Sequence, residues 1–357
     1  MWDAFLAYFV QHDGRVIDDQ NGTRYTTSEG QAYTLFFALV SNDRAWFEVL
    51  LRWTEEHLAG GDLTARLPGW RWGRQDSGRW ALVDSNAAAD ADLWLAYTLF
   101  EAARLWRVPR YAVTGRALLD RIGASETIQL PGFGWMLLPA PQGFQLGPAT
   151  WRLNPSYLPI HQLRYFSRRH PGAGWRDMVG NALTMLRAAA PRGFAPDWVD
   201  YDPVRGWVAS PADAPIGSYD AIRVYLWAGL LHDDDPLRPA LLRALGGMRD
   251  WLAAGVAVPP QRVRTDLGSA TGRGPVGFSA ALMPYLHALG EQGLLAQQTE
   301  RLRTERAALA SEVDRPASAS RADPPRYYDH VLALFGQGAM EGRYAFDVHG
   351  ELQTAWR

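Results

Sequence analysis

Three carboxylates from distant parts of the chain stand where helical patterns begin. Glu29 lies in Ser28-Glu29-Gly30-Gln31, Asp90 in Ala89-Asp90-Ala91-Asp92, and Asp220 in Ser218-Tyr219-Asp220-Ala221-Ile222-Arg223. An acid at a helix start has an ordinary explanation: it meets free N–H groups and the positive end of the helix dipole. The set asks for more, because each acid has aromatic company. Tyr33 follows Glu29 by one turn, Trp94 follows Asp90 by one turn, and Tyr219 and Trp227 flank Asp220. A cap alone needs no such neighbours. Two carboxyl groups across a glycosidic bond are what sugar hydrolysis requires, one protonated to release the leaving oxygen and one ionised to activate water or attack directly. Their surroundings must push the two pKa values apart. Arg223 lies three residues after Asp220 and can share its helix face, which favours an ionised Asp220 and suits a base. Glu29 must then be held protonated against its own helix N-terminus, by desolvation or by the like charge of Asp90.

The aromatic content fits the same chemistry. Sixteen tryptophans, 14 tyrosines and 13 phenylalanines occur in 357 residues. Aromatics fill large cores, but their flat rings also stack on the C–H faces of sugars. Trp70 and Trp72 stand either side of Arg71 before the Asp90 helix, and Trp151 precedes the helical pattern at 156–169. All three are candidate sugar contacts, with Tyr33, Tyr219 and Arg223 beside the acids.

The elements that position these residues can be read from apolar spacing at three and four residues, bounded by caps and breakers. That spacing predicts twelve helices, near 2–11, 28–41, 43–59, 86–107, 109–124, 156–169, 172–190, 218–231, 235–255, 278–289, 293–310 and 326–336. Short strands or hairpins are expected only at 126–138, 194–210 and 256–265. Tight breaks such as Val108-Pro109, His170-Pro171 and Asp235-Pro236 join helices into pairs, and long Gly-, Pro- and Trp-rich loops separate the pairs. The unit is helix, turn, helix, long loop. Six of them in a ring make an all-α (α/α)6 barrel with an open cleft at one end. In such a ring the helices that follow the long loops are parallel, so the starts carrying Glu29, Asp90 and Asp220 share one face. No shift in composition divides the chain, which reads as a single catalytic domain over 1–357. The stretch from Val313 to Arg326 reads as a surface loop.

Other chemistries find little support. The 36 basic and 38 acidic residues give a formal net charge of -2 without a basic stripe, which argues against nucleic acid. With no cysteine there is no disulfide, thiolate metal site or thiol nucleophile. No apolar run is long enough to insert in a membrane, and no signal peptide opens the chain, so either a cytoplasmic protein or a processed or trimmed form is expected. Gly272-Arg273-Gly274-Pro275-Val276-Gly277 matches a dinucleotide-binding pattern, but no strand precedes it. The eight histidines have no metal-ligand spacing, and His232-Asp233-Asp234-Asp235 reads as a solvated connection. Asn21-Gly22-Thr23 is a formal glycosylation sequon, and no G-x-S-x-G element is present. Neither a metal nor a cofactor is expected.

Several stretches together resemble glycoside hydrolase family 8. They include Gly14-Arg15-Val16-Ile17-Asp18, Thr26-Thr27-Ser28-Glu29-Gly30-Gln31, Asp84-Ser85-Asn86, Asn154-Pro155-Ser156-Tyr157-Leu158-Pro159, Pro196-Asp197-Trp198-Val199, Ser218-Tyr219-Asp220-Ala221-Ile222-Arg223, Gly274-Pro275-Val276-Gly277-Phe278-Ser279 and Leu334-Phe335-Gly336-Gln337-Gly338. They span nearly the whole chain in order. Within the family the likeness is to the periplasmic endo-β-1,4-glucanases of bacterial cellulose synthesis operons. The resemblance implies inverting hydrolysis of a β-1,4-glucan chain, with Glu29 as general acid and Asp220 as general base. Asp90 would bind the sugar at the cleavage site, and Tyr157 would line it. Ala89 departs from the family's hydroxyl residue at that point, and Asp92 reads as structural. A periplasmic or secreted location and an association with a cellulose synthase complex are further implications. Chitosan, xylan or mixed-linkage glucan are alternative substrates on the same fold. A non-enzymatic glucan-binding component of an export apparatus is another alternative, although it would be expected to have lost Glu29 or Asp220.

Overall fold

The computed structural model describes residues 1–18, 23–212, 214–313 and 326–357. Both the sequon residues Asn21 and Gly22 and the interior of the loop expected at 313–326 lie outside the described residues. Thirteen α-helices are described: α1 (Trp2–Phe9), α2 (Ser28–Val40), α3 (Arg44–Leu58), α4 (Ala89–Trp106), α5 (Pro109–Ser125), α6 (Ile160–Arg169), α7 (Trp175–Ala189), α8 (Ala221–Gly229), α9 (Arg238–Ala244), α10 (Gly246–Ala253), α11 (Val276–Ala288), α12 (Gln292–Val313) and α13 (Tyr327–Met340).

Burial sorts them into two rings. In α2 every residue except Glu29 is buried, and α4, α8 and α11 are buried nearly all round. Helices α3, α5 and α7 bury one stripe each, such as Phe47, Leu50, Trp53, Thr54 and Leu58 of α3. A helix apolar on all sides belongs inside, and one with a single apolar stripe belongs on the outer layer. The inner helices α2, α4, α6, α8, α11 and α13 pack in sequence, and α13 returns to α2 to close the ring. Tyr97 of α4 meets Tyr165 of α6 with ring centroids 5.0 Å apart. Close approach needs glycine at two seams. A Cβ on Gly336 would stand 1.8 Å from the Ala280 carbonyl oxygen, and one on Gly229 would stand 2.2 Å from the Tyr285 nitrogen. These two seams join α13 to α11 and α8 to α11. The result is the (α/α)6 barrel expected from the pairing of helices.

The structure corrects several boundaries. The helix expected over 235–255 is two, α9 and α10, broken at Leu245–Gly246. There the Gly247 N–H bonds the Gly193 carbonyl at 3.0 Å, an approach that only glycine permits on either side. The helix expected from 156 starts at Ile160, because Pro155–Tyr157 forms a 3-10 turn and Pro159 follows. The sequence also hides strands. Hairpins at Arg71–Arg74/Trp80–Asp84, Gln145–Gly147/Thr150–Leu153 and Tyr344–Phe346/Leu352–Thr354 join the strands found within or beside the stretches expected at 126–138, 194–210 and 256–265. These short strands carry few alternating apolar residues, so a period-2 signal is weak. They lie in the long loops, and the first of them pairs with Thr26–Thr27 directly before α2.

Candidate active site

Capping separates the two explanations for the acids. At α2 the cap is Thr27, whose Oγ1 accepts the Gly30 N–H at 3.1 Å. Glu29 is thereby left to point elsewhere. At α8 the backbone N–H groups of Ser218 and Ala221 donate to Asp197 Oδ1 at 2.7 and 2.8 Å, and Asp220 caps nothing with its side chain. Asp90 takes a local bond, from the Ala91 N–H at 2.9 Å. The Ala89 N–H, next to the missing family hydroxyl, donates instead to the Pro139 carbonyl at 2.9 Å.

Two of the three acids meet at one guanidinium, whose charge also acts on the third, Glu29. Arg223 Nη2 donates to Asp220 Oδ1 at 3.0 Å and to Ser156 Oγ at 2.8 Å, and it stands 3.5 Å from Asp90 Oδ2. Its guanidinium lies 5.7 Å from the Tyr157 ring centroid. The Tyr33 hydroxyl donates to Asp90 Oδ2 at 3.3 Å. Trp70 Nε1 donates to Glu29 Oε1 at 3.1 Å. Tyr328, at the start of α13, donates its hydroxyl to the Tyr219 carbonyl at 2.6 Å, directly before Asp220. Six stretches of chain thus meet at the end of the barrel where inner helices begin.

The electrostatic settings differ from acid to acid. Glu29 keeps some contact with solvent yet lies deep among protein atoms, and burial pushes its pKa up to about 8. The charge of Asp90 adds to the rise, while its own backbone N–H, Arg223 and the Trp70 hydrogen bond oppose it. Asp90 is 1% exposed, and burial raises it to about 6 against the pull of Arg223. Asp197 rises to about 6, through burial and then the neighbouring Asp220. Behind α4, Asp92 and Glu126 are both wholly buried and both pushed well upward, chiefly by burial. Each feels the other's charge or hydrogen-bonding capacity, although no oxygen of either is within hydrogen-bond geometry of a partner among the described residues. With no donor in reach among the described residues, burial favours the neutral form of both carboxyls.

Of the residues singled out from sequence, Glu29, Asp90, Asp220, Tyr33, Trp70, Tyr157 and Arg223 come together in this network. Tyr219 sits at its rim, 38% exposed, with its hydroxyl accepting from Gln261 Nε2 at 3.0 Å. Trp72 and Trp151 make no hydrogen bond to it. Trp72 packs against Trp80, Trp53, His57 and the Arg15 guanidinium. Trp151 is buried with its ring 6.5 Å from that of Tyr201. Asp197, Tyr328 and the Asp92–Glu126 pair escaped sequence reasoning as site residues. Asp197 had a signal in the Pro196-Asp197-Trp198-Val199 stretch, whereas nothing local marked Tyr328 or Glu126.

Residues 1–342 match the profile of glycosyl hydrolases family 8. The chain belongs to that family and is a glycoside hydrolase. It is 46% identical over 357 residues to an endoglucanase of Xanthomonas axonopodis pv. citri (strain 306), covering 100% of this chain and 89% of that protein. It is 41% identical to an endoglucanase of Escherichia coli (strain K12), covering 99% and 90%. The crystal structure of an endo-1,4-D-glucanase from Vibrio fischeri ES114 superposes with a TM-score of 0.90 at 39% identity, covering 99% of this chain and 98% of that one.

Proposed function

We propose that this protein is an endo-acting β-1,4-glucanase that inverts the anomeric centre, with Glu29 as general acid and Asp220 as general base. One observation carries the reading: two helix-start carboxyls, both relieved of capping, stand in opposite settings around one site. Glu29 is held protonated near neutral pH by burial and by Asp90. Asp220 instead pairs directly with the Arg223 guanidinium, at 3.0 Å. Asp90, anchored by Tyr33 and Arg223, is placed to take a hydroxyl of the sugar between them. The glucan substrate is supported by relatives that are themselves endoglucanases. No described helix is long and apolar enough to cross a membrane. A periplasmic or secreted enzyme that trims glucan beside a cellulose synthase fits the resemblance.

In the mechanism, a glucan chain lies across the barrel mouth with the scissile bond between Glu29 and Asp220. Asp220 takes a proton from water as that water attacks the anomeric carbon. Glu29 gives its proton to the departing oxygen, so the bond to the leaving sugar breaks as the new C–O bond forms. Inversion needs carboxyl groups about 6.5–9.5 Å apart, with one water on the base side. Proton NMR of a fresh cello-oligosaccharide hydrolysate tests this: the α-anomer should appear first. An initial β-anomer would mean a covalent intermediate and would overturn the assignment.

A further inference from the structure

Beside the carboxylates lies an antiparallel sheet whose outer face sets an aromatic pair next to a charged network. Its strands run in the order Gln145–Gly147, Thr150–Leu153, Trp198–Asp202 and Gly206–Ser210. Trp151, Leu153, Val199 and Tyr201 are buried on the inner face. The alternate positions point outward, and register places Arg152 opposite Asp200, Trp198 opposite Ser210 and Asp200 opposite Val208. A wet sheet face ordinarily carries polar residues. Here Trp198 and Val208 stand among Arg152, Asp200 and Ser210, with Leu146 47% exposed alongside. The Phe144 ring stacks on Trp198, with centroids 5.8 Å apart and planes within 13°. Next to this pair sits a complete polar network. Arg152 binds Asp200 through two nitrogens at 2.8 and 3.0 Å and donates to Ser210 Oγ at 2.6 Å, while Ser210 donates to Asp200 at 2.9 Å.

The face is continuous with the catalytic centre at three points. Trp198 directly follows Asp197, which holds the start of the Asp220 helix. Leu153 leads into Asn154 and the turn bearing Ser156 and Tyr157. The loop before Phe144 is tied to the approach of α4 by Asn86 Nδ2, which donates to the Gln142 carbonyl at 3.0 Å. We propose that this face is a further glucan subsite, in which the Phe144–Trp198 pair stacks under one sugar ring and the Arg152–Asp200–Ser210 network takes its hydroxyls. The inference rests on the glucanase reading above. An aromatic ring with an adjoining fork of charged donors and acceptors suits a pyranose, which offers a C–H face and a rim of hydroxyls. Rings already stacked and a network already satisfied are ordered before sugar arrives, so little entropy is lost on binding.

The test is a chain-length series of cello-oligosaccharides with the wild type, Trp198→Ala, Trp198→Tyr and Asp200→Asn. Trp198→Ala should raise KM for the longest oligosaccharide at least about fivefold, as roughly 1 kcal/mol of lost contact gives, with kcat little changed. The shortest cleaved oligosaccharide should be affected much less, and Trp198→Tyr should recover most of the loss. Asp200→Asn should repeat the length dependence more weakly. Should Trp198→Ala fail to fold by thermal melt, Phe144→Ala and Asp200→Asn read out the same comparison. Losses equal at every length would show that Trp198 acts only through Asp197, and no loss at any length would show an inert face. Either result overturns the subsite while leaving the glucanase reading intact. A wild type that cleaves no β-1,4-glucan would sink both.

Discussion

The starts of α2 and α8 are built from the same local feature, a carboxylate beside free helix N–H groups, yet they are set oppositely. At α2 a threonine takes the cap, the Trp70 N–H and, at 3.4 Å, the Ser28 hydroxyl donate to the acid, and the charge of Asp90 adds to the effect of burial. At α8 a second aspartate takes the cap and a guanidinium binds the acid directly. A helix N-terminus alone would favour the ionised form in both places, by about 0.3–1 kcal/mol at an exposed site. Burial beside a like charge outweighs that at Glu29. The comparison teaches that burial first, and the neighbouring carboxylate second, outweighs the helix end at Glu29.

The largest effects should come from removing either member of that contrast. Glu29→Gln and Asp220→Asn should each lower kcat on cello-oligosaccharides by at least about 10²–10⁴-fold, the range for loss of a general acid or base. Near-normal turnover by either variant on an unactivated substrate would refute its role. Arg223→Ala comes next. It removes the cation that holds Asp90 down and pairs with Asp220, so the acidic limb of the pH–rate profile should move to higher pH. An unmoved acidic limb would separate Arg223 from the working carboxylates.

Trp70→Phe should act on the other side and more gently. The lost hydrogen bond favours the ionised form of Glu29, so its removal should shift the basic limb upward from near pH 8, with kcat at the optimum changed only a few-fold. A downward shift would show that the indole serves some other purpose. The smallest effect on catalysis, but a clear one on stability, is expected from Asp92→Asn combined with Glu126→Gln. Both carboxyls have raised folded pKa values. Their contribution to stability is fully present below the ordinary carboxyl range near ~4 and is lost as pH rises through their folded values. The double amide variant should therefore match the wild type near pH 4 and melt a few degrees higher at pH 8. Parallel melting curves across that range would show that the pair is not protonated in the folded protein.

Composition, helical periodicity and the alternation of tight turns with long loops were enough to determine the twelve-helix plan and the closed ring. Those signals are local, and an inner helix announces itself by being apolar on every side. Glu29, Asp90, Asp220 and Arg223 were legible for the same reason, since each sits at a fixed offset from a helix start. Spacing could not show which acid is capped by whom. Asp197 reaches its N–H partners across 21 and 24 residues, and Tyr328 reaches the Tyr219 carbonyl across 109. Nor could it separate Trp70, which bonds Glu29, from Trp72 two residues later, which packs on Trp53 and His57. Residues two apart on a regular strand share a face, but Trp70 lies just before the strand and a register shift falls between Arg71 and Trp72, so the two rings part at a hairpin that the sequence barely marks. Only the tertiary structure decided the upward shift of Glu29 and Asp90, because their burial and neighbouring charges are set by residues remote in sequence that the ring closure brings together.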